Sequence, residues 1–305
     1  MRYLGVGAAA IAVVAVVAAG AGASGPVSAS GCRGGGGCIA FANLDLGNGE
    51  GKYDLYLIRS DGTGLTKLTH SRSANDFSPT WSPDGTKIAY RHELTHDGES
   101  LINIMDADGS NVRTLHEGIA PAWSPDGRRI AFAGASGGPG TDIFVIDAEG
   151  SSLRRLTKTP YQIDEYPAWS PDGRTIMFAS TQGVAYSGQS RALWAMRADG
   201  RGKRRLTSGH YDMYPTWAPS GRRVAFHSDR GGGGPTIWTM TPRGTQLHRL
   251  SNCRCEHPAW SPDGREIAAA AGNALAIIRA DGKPRIRSIA EGLGEPGFPA
   301  WRPRG

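Results

Sequence analysis

Ala168-Trp169-Ser170-Pro171-Asp172-Gly173-Arg174-Thr175-Ile176-Met177-Phe178 is one copy of a unit that recurs along this 305-residue chain. Trp81-Ser82-Pro83-Asp84-Gly85, Trp123-Ser124-Pro125-Asp126-Gly127 and Trp260-Ser261-Pro262-Asp263-Gly264 repeat its core. Trp217-Ala218-Pro219-Ser220-Gly221 is a weaker copy, and Trp301-Arg302-Pro303-Arg304-Gly305 ends the sequence. Self-similarity at a near-constant period decides the fold before any local propensity does. The Pro-x-Trp segment is extended, because proline is excluded from helix interiors and biases its predecessor towards β. Ser-Pro-Asp-Gly reads as a turn, with Pro presetting φ and Gly taking positive φ.

Each unit continues in the same order. A strand such as Ile88-Ala89-Tyr90 or Ile130-Ala131-Phe132 follows the turn, then a variable loop, then a second apolar strand such as Ile143-Phe144-Val145-Ile146. A hairpin containing Gly109, Gly150, Gly200, Gly244 or Gly282 leads to a fourth strand, as at Arg155-Leu156-Thr157 and Arg205-Leu206-Thr207. No amphipathic helical pattern follows the first thirty or so residues. Four short strands per unit, with tryptophans 41 to 48 residues apart, predict an all-β, six-bladed β-propeller of four-stranded blades. The final Trp motif stops one turn short of its next strand, and Cys38-Ile39-Ala40-Phe41 supplies that strand. The C-terminal strand is therefore expected innermost in the blade whose outer strands come from the N-terminus, pairing the two ends and closing the ring.

The first residues read as an export signal. Arg2 precedes an apolar run from Leu4 to Ala19, and small residues offer cleavage after Ala23 or after Ala29. An uncleaved membrane anchor and lipidation at Cys32 are the alternatives. The expected organisation is thus 1–29 export signal, 30–37 flexible Gly/Ser-rich leader and 38–305 propeller, in a periplasmic, cell-envelope or extracellular location. Cys32, Cys38, Cys253 and Cys255 then sit in an oxidising compartment and allow three pairings. The formal charge of +6 and pI near 9.3 come partly from Arg128-Arg129, Arg154-Arg155, Arg204-Arg205 and Arg222-Arg223, at equivalent places in successive repeats. They read as solvated strand edges, with no nucleic-acid motif beside them.

The repeated Pro-x-Trp-Ser-Pro-Asp-Gly-x-x-Ile-Ala-Phe unit, with Asp-Ala-Asp-Gly at Asp106–Gly109 and Arg-Arg-Leu-Thr after it, resembles the WD40-like (PD40) repeat of the TolB propeller family. The resemblance covers residues 38–305. It implies a periplasmic partner of the peptidoglycan-associated lipoprotein, although TolB proper carries an α/β domain before its propeller and only a short leader is expected here. Similar propellers occur in prolyl-oligopeptidase-type peptidases, which need a hydrolase domain, and in oligogalacturonate lyases.

Two motifs tempt a catalytic reading. His92-Glu93-Leu94-Thr95-His96 matches the zinc-protease pattern, which requires a helix, yet follows a strand and reads as a loop. Gly134-Ala135-Ser136-Gly137-Gly138 matches a nucleophile elbow, without the helix that must follow. No metal or other cofactor is expected. The residues just before the innermost strands ring one channel mouth in a propeller. There stand Asp76, Asp164, Glu165, Tyr166, His210, Asp212, Tyr214, Glu256 and His257, with Phe298 at the equivalent place in the last repeat. Aromatics and carboxylates around a concave mouth suit a protein or peptide partner, or a glycan. The leading expectation is an exported, monomeric, non-enzymatic binding or scaffolding propeller. The alternatives are a polysaccharide lyase or hydrolase using the same mouth, with or without a metal, and a structural module.

Overall fold

The computed structural model describes residues 37–45, 51–135, 137–159, 161–181, 190–281 and 286–303. The export segment, nearly all of the leader, Cys32 and Ser136 lie outside the described residues. Six four-stranded antiparallel sheets make up the fold, and no helix occurs among the described residues. Blades are numbered here from the N-terminus. The inner strands of blades 2 to 6 are Ala74–Trp81, Ile119–Trp123, Asp164–Trp169, Met213–Trp217 and Glu256–Trp260. In blade 1 the order is Gly297–Trp301, Cys38–Asp45, Lys52–Arg59, Thr66–Lys67. The C-terminal strand is therefore innermost there, as the repeat arithmetic requires, with Ile39 opposite Trp301 and Ala40 opposite Ala300.

The Ile-Ala-Phe strand explains how the blades stack. Successive side chains point to opposite faces of a sheet, and here both faces are covered. The large residues face the preceding blade and the small ones face the next. Ile176 and Phe178 pack on Ala131 and Ala133. Ile39 and Phe41 pack on Ala268, while Ala40 and Ala42 receive Ile88 and Tyr90. Large against small at each of these junctions keeps the sheets evenly spaced without voids.

The Ser-Pro-Asp-Gly turns close as expected. Gly85, Gly127, Gly173 and Gly264 have positive φ, and the Gly173 N–H donates to Ser170 O at 2.9 Å. Asp172 Oδ1 accepts from Ser170 Oγ (2.6 Å) and from the Arg174 N–H (3.1 Å). These donors hold the Asp172 carboxyl below the usual carboxylate range. The recurring aspartate is a turn residue, bonded within its own loop.

Most residues of the arginine pairs are exposed, as solvated edges should be, and Arg154 and Arg204 among them also reach across blades, as do Arg113 and Arg287. Arg113, Arg154, Arg204 and Arg287 each donate from the outer strand to a backbone carbonyl in the next blade, at Ala148, Asp199, Pro242 and Ser60. Arg129 lies 4.9 Å from the Trp169 ring of the following blade. A planar guanidinium with several donors can span two blades where a solvated ammonium would not. Cys253 and Cys255 are joined in a disulfide; Cys38 is also disulfide-bonded, its partner lying outside the described residues.

Candidate functional site

Each inner strand carries one residue in the left-handed region, directly before its proline. These are Ser78 (φ 50°), Ala120 (53°), Tyr166 (54°), Tyr214 (53°), His257 (53°) and Phe298 (51°). Residues with a Cβ rarely sit there, at a cost of about 1–2 kcal/mol each. The consequence is a bulge at the same point of every blade: pairing shifts between Phe77 and Thr80, Ile119 and Ala122, Glu165 and Ala168, Met213 and Thr216, and Glu256 and Ala259. Bulges re-aim side chains. The six residues line one central channel, a cavity of about 360 Å³ whose walls continue through the prolines to the six repeat tryptophans.

The ring is lopsided. Blades 2 and 3 contribute the small Ser78 and Ala120. Blades 4, 5, 6 and 1 contribute four aromatic side chains that touch in sequence. The Tyr166 and Tyr214 centroids are 4.1 Å apart, Tyr214 and His257 4.3 Å, and His257 and Phe298 3.9 Å. The Tyr214 hydroxyl donates to the Tyr166 hydroxyl at 3.2 Å, and burial raises both phenols. Beneath Tyr214 lies His227, 4% exposed, with neither ring nitrogen hydrogen-bonded. Burial lowers its pKa to about 4. Burial, and secondarily His227, lower that of His257 to about 3.

The acids divide into two groups. Asp76, Asp164 and Asp212 are at most 1% exposed and lie inside the blades, below the mouth. Asp76 pairs with His92 Nδ1 at 2.7 Å, Asp212 with Arg230 at 2.5 Å, and Asp164 accepts from Thr159 Oγ1 at 2.9 Å. Burial pushes the Asp164 carboxyl up. Glu165 and Glu256 are partly buried, each directly before a channel-lining residue, Tyr166 and His257. Glu165 holds Arg191 at 2.6 Å, and that guanidinium sits 5.8 Å from the Tyr211 ring. The Glu256 side chain has no hydrogen bond or ion pair among the described residues, and burial raises its carboxyl. His210 stands apart on the surface, 3.6 Å from Asp229. Beside the channel, sharing His257 and Phe298 with it, opens a side pocket of about 660 Å³ that also includes Tyr53, Phe77, Glu256, Asn273 and Glu295.

The two catalytic motifs dissolve into strand ends. His92 and Glu93 belong to the strand Lys87–Leu94, rather than to a loop. His92 is tied to Asp76 and His96 to Asp97 at 2.8 Å. Gly134 and Ala135 end the strand Arg129–Ala135.

Arg191, Arg230, His227, Tyr53 and Glu295 were not legible as site residues. Arg191 opens a third strand, and only strand pairing shows that this position faces the mouth. His227 continues the apolar run Val224-Ala225-Phe226 and carries no local signal. Replacement of Arg230 by alanine is expected to leave Asp212 buried without its cation, at about 3–5 kcal/mol. Urea unfolding of Arg230→Ala checks this; a loss under about 1 kcal/mol would show that the pair is dispensable.

A family model described as "TolB beta propeller domain" matches residues 116–305. The Protein TolB homolog of Chlorobium luteolum is 56% identical over 41 residues, which are 13% of this chain and 9% of that relative. Among solved structures, TolB from Acinetobacter baumannii has a TM-score of 0.73 at 23% identity, covering 88% of this chain and 67% of that one. Kuenenia stuttgartiensis hydrazine synthase reaches a TM-score of 0.67 at 14% identity, covering 88% of this chain and 47% of that one. At such identities the structural likeness concerns the ring alone, a scaffold that carries different functions in different proteins.

Proposed function

The chain belongs to the TolB beta propeller domain (PD40) family, and from that premise we propose that it is an exported, non-enzymatic binding propeller of the cell envelope. Its partner is a protein or peptide taken at the aromatic mouth of the channel. One observation carries this reading: Tyr166, Tyr214, His257 and Phe298 converge beside the small Ser78 and Ala120, so four of the six ring positions form a rigid aromatic wall and the other two leave the mouth clear. Tyrosine and arginine dominate the energetics of protein interfaces because they present large, amphipathic area at low entropic cost. Tyr161 and Tyr211, 61% and 41% exposed, stand on the segments leading into blades 4 and 5, and Tyr211 lies 6.3 Å from His227, which packs under Tyr214. Glu165 and Glu256 supply the polar rim, and His210 stands apart from it. Asp76, Asp164 and Asp212 brace the blades beneath it.

A photo-crosslinker placed at Tyr211 should capture an envelope protein, whereas one at Arg128, on a Ser-Pro-Asp-Gly turn, should not. With that partner in hand, Tyr166→Ala and Tyr214→Ala are each expected to weaken binding about 10- to 100-fold, in keeping with aromatic anchors of about 1.4–3 kcal/mol. Unchanged affinity in both variants would refute the mouth as the site. Capture of a glycan, or turnover of an envelope polysaccharide abolished by His257→Ala, would favour the alternatives.

A further inference from the structure

Blades 4 and 6 are the two that carry a glutamate four residues before the tryptophan, Glu165 and Glu256. They can be aligned residue by residue through their ladders. Ile176 pairs with Met196 in blade 4, and Ile267 with Ile278 in blade 6. Five residues before those partners stand Arg191 and Asn273. In blade 4 the arrangement is complete: Glu165 is neutralised by Arg191 at 2.6 Å, with both side chains largely buried, and the guanidinium rests near an aromatic ring. In blade 6 the glutamate remains, the arginine is replaced by Asn273, and the space between them is the side pocket.

Other buried acids of the blades are met in two ways: Asp54 has Lys67, Asp142 has Arg155 and Asp212 has Arg230, whereas Asp76 lies against His92 Nδ1 and Asp164 accepts from the Thr159 hydroxyl. Glu256 has no such cation among the described residues. Arg254 also borders the pocket but is exposed and lies over Gly234. A second carboxylate, Glu295, enters from the other side, held by the Tyr53 hydroxyl at 2.5 Å. Phe77 and Phe298 meet edge to face, 6.3 Å between centroids, and Tyr53 lies 4.7 Å from Phe77. Two carboxylates beside three aromatic rings form a receptor for a planar cation, through charge-assisted hydrogen bonds and contact with ring faces.

We propose that the side pocket between blades 6 and 1 receives an arginine side chain of the partner, its guanidinium seated between Glu256 and Glu295 as Arg191 is seated on Glu165. The proposal rests on the binding reading above and names the chemistry that the partner must present. Blade 4 is its internal template: what one blade supplies from its own third strand, the other leaves for a ligand.

The test uses the mature protein and two small probes, N-acetyl-arginine methylamide and its neutral isostere N-acetyl-citrulline methylamide, titrated by NMR at low salt. The arginine probe should shift the signals of Glu256, Asn273 and Phe298 and bind at least about 10-fold more tightly than the citrulline probe. Glu256→Gln should weaken it by about 10-fold or more, while Glu149→Gln, at an exposed carboxylate far from the pocket, leaves it unchanged. Asn273→Arg should rebuild the blade 4 pair, abolish probe binding and raise the melting temperature, so the proposal stays testable even if Glu256→Gln folds poorly. Equal binding of both probes, indifference to Glu256→Gln, or an Asn273→Arg variant that binds the probe unchanged would each overturn it. So would calcium binding with the same dependence on Glu256 in the absence of any arginine binding. Loss of the partner in Tyr214→Ala together with no arginine binding would sink the pocket and leave the mouth reading standing; the converse result would sink the mouth reading alone.

Discussion

Deletion of residues 296–305 is expected to unfold the entire ring, rather than to fray one blade. The strand Gly297–Trp301 is the innermost strand of blade 1 and its pairing with the strand Cys38–Asp45 joins the chain ends. Trp301 is packed among Ile39, Ile58, Ile277 and Ile289, in the core between blades 6 and 1. On the other side Ala300 O accepts from Trp81 Nε1 at 3.1 Å, and Arg302 lies 5.2 Å from the Trp81 ring. Removing a buried tryptophan alone costs about 3–5 kcal/mol. Removing the strand also bares the edge of the strand Cys38–Asp45, whose residues Ile39, Phe41 and Ala42 are almost wholly buried. A total loss above about 5 kcal/mol, comparable to the whole stability of many domains, is expected. The readout is thermal unfolding followed by circular dichroism, with Trp301→Ala as the milder arm. A truncated protein that melts within a few degrees of the intact one would show that the ring does not depend on this closure.

Acidification from about pH 6.5 towards pH 4 is the second large effect. His227 and His257 are neutral in the folded ring, with pKa values lowered to about 4 and about 3 by burial. Unfolded, each takes up its proton near pH 6.5. Between these limits the unfolded chain binds more protons, so the stability is fully present above about pH 6.5 and falls as the pH falls. A tenfold difference in proton affinity between the folded and unfolded chain corresponds to about 1.4 kcal/mol, so the two rings together remove several kcal/mol by about pH 4. The turn aspartates such as Asp172, whose carboxyls are held low, add their loss only below the ordinary carboxylate range. Buried Asp164 and Glu256, raised by burial, act in the opposite direction. Across this acid range the two histidines carry the slope towards lower stability, and Asp164 and Glu256 offset part of it. His227→Leu should flatten that slope by roughly half, and His227→Leu with His257→Phe should remove most of it, as measured by urea midpoints across pH. A profile unchanged in the double variant would show that neither ring is held neutral by the fold. The consequence for binding is direct: His257 stacks on Phe298 and crosses Tyr214, so partner binding at the mouth should fail in the same acid range.

The repeat was the most legible part of the molecule because it is written in residues with few alternatives. Proline before tryptophan, then Ser-Pro-Asp-Gly, constrains backbone angles directly, and six copies multiply the constraint. The closing strand followed from counting, since a unit that stops after its turn must find its next strand elsewhere. The Ile-Ala-Phe run was legible as a strand; only stacking showed that the large residues of one blade meet the small residues of its neighbour, because both faces of these sheets are covered.

The mouth was legible in part. Tyr166, Tyr214 and His257 could be placed there because position within a repeat becomes position in the ring. Their left-handed backbone had no signal, since tyrosine and histidine do not announce positive φ as glycine does. Asp76, Asp164 and Asp212 looked equivalent to Glu165 and Glu256 when counted along the chain. One residue separates them, and in a strand one residue reverses the face. The carboxylates that pair inside the blades were thereby separated from those that reach the rim.

By itself the sequence determined the ring: its blade number, its strand order and its closure, all local or periodic properties of the chain. Tertiary structure alone decided which charges are satisfied. Arg191 finds Glu165 from 26 residues away, and Asn273 stands where no cation meets Glu256 among the described residues. Such pairing depends on distances across strands, which composition and spacing do not encode, and it is why the side pocket appears only when the blades are laid one upon another.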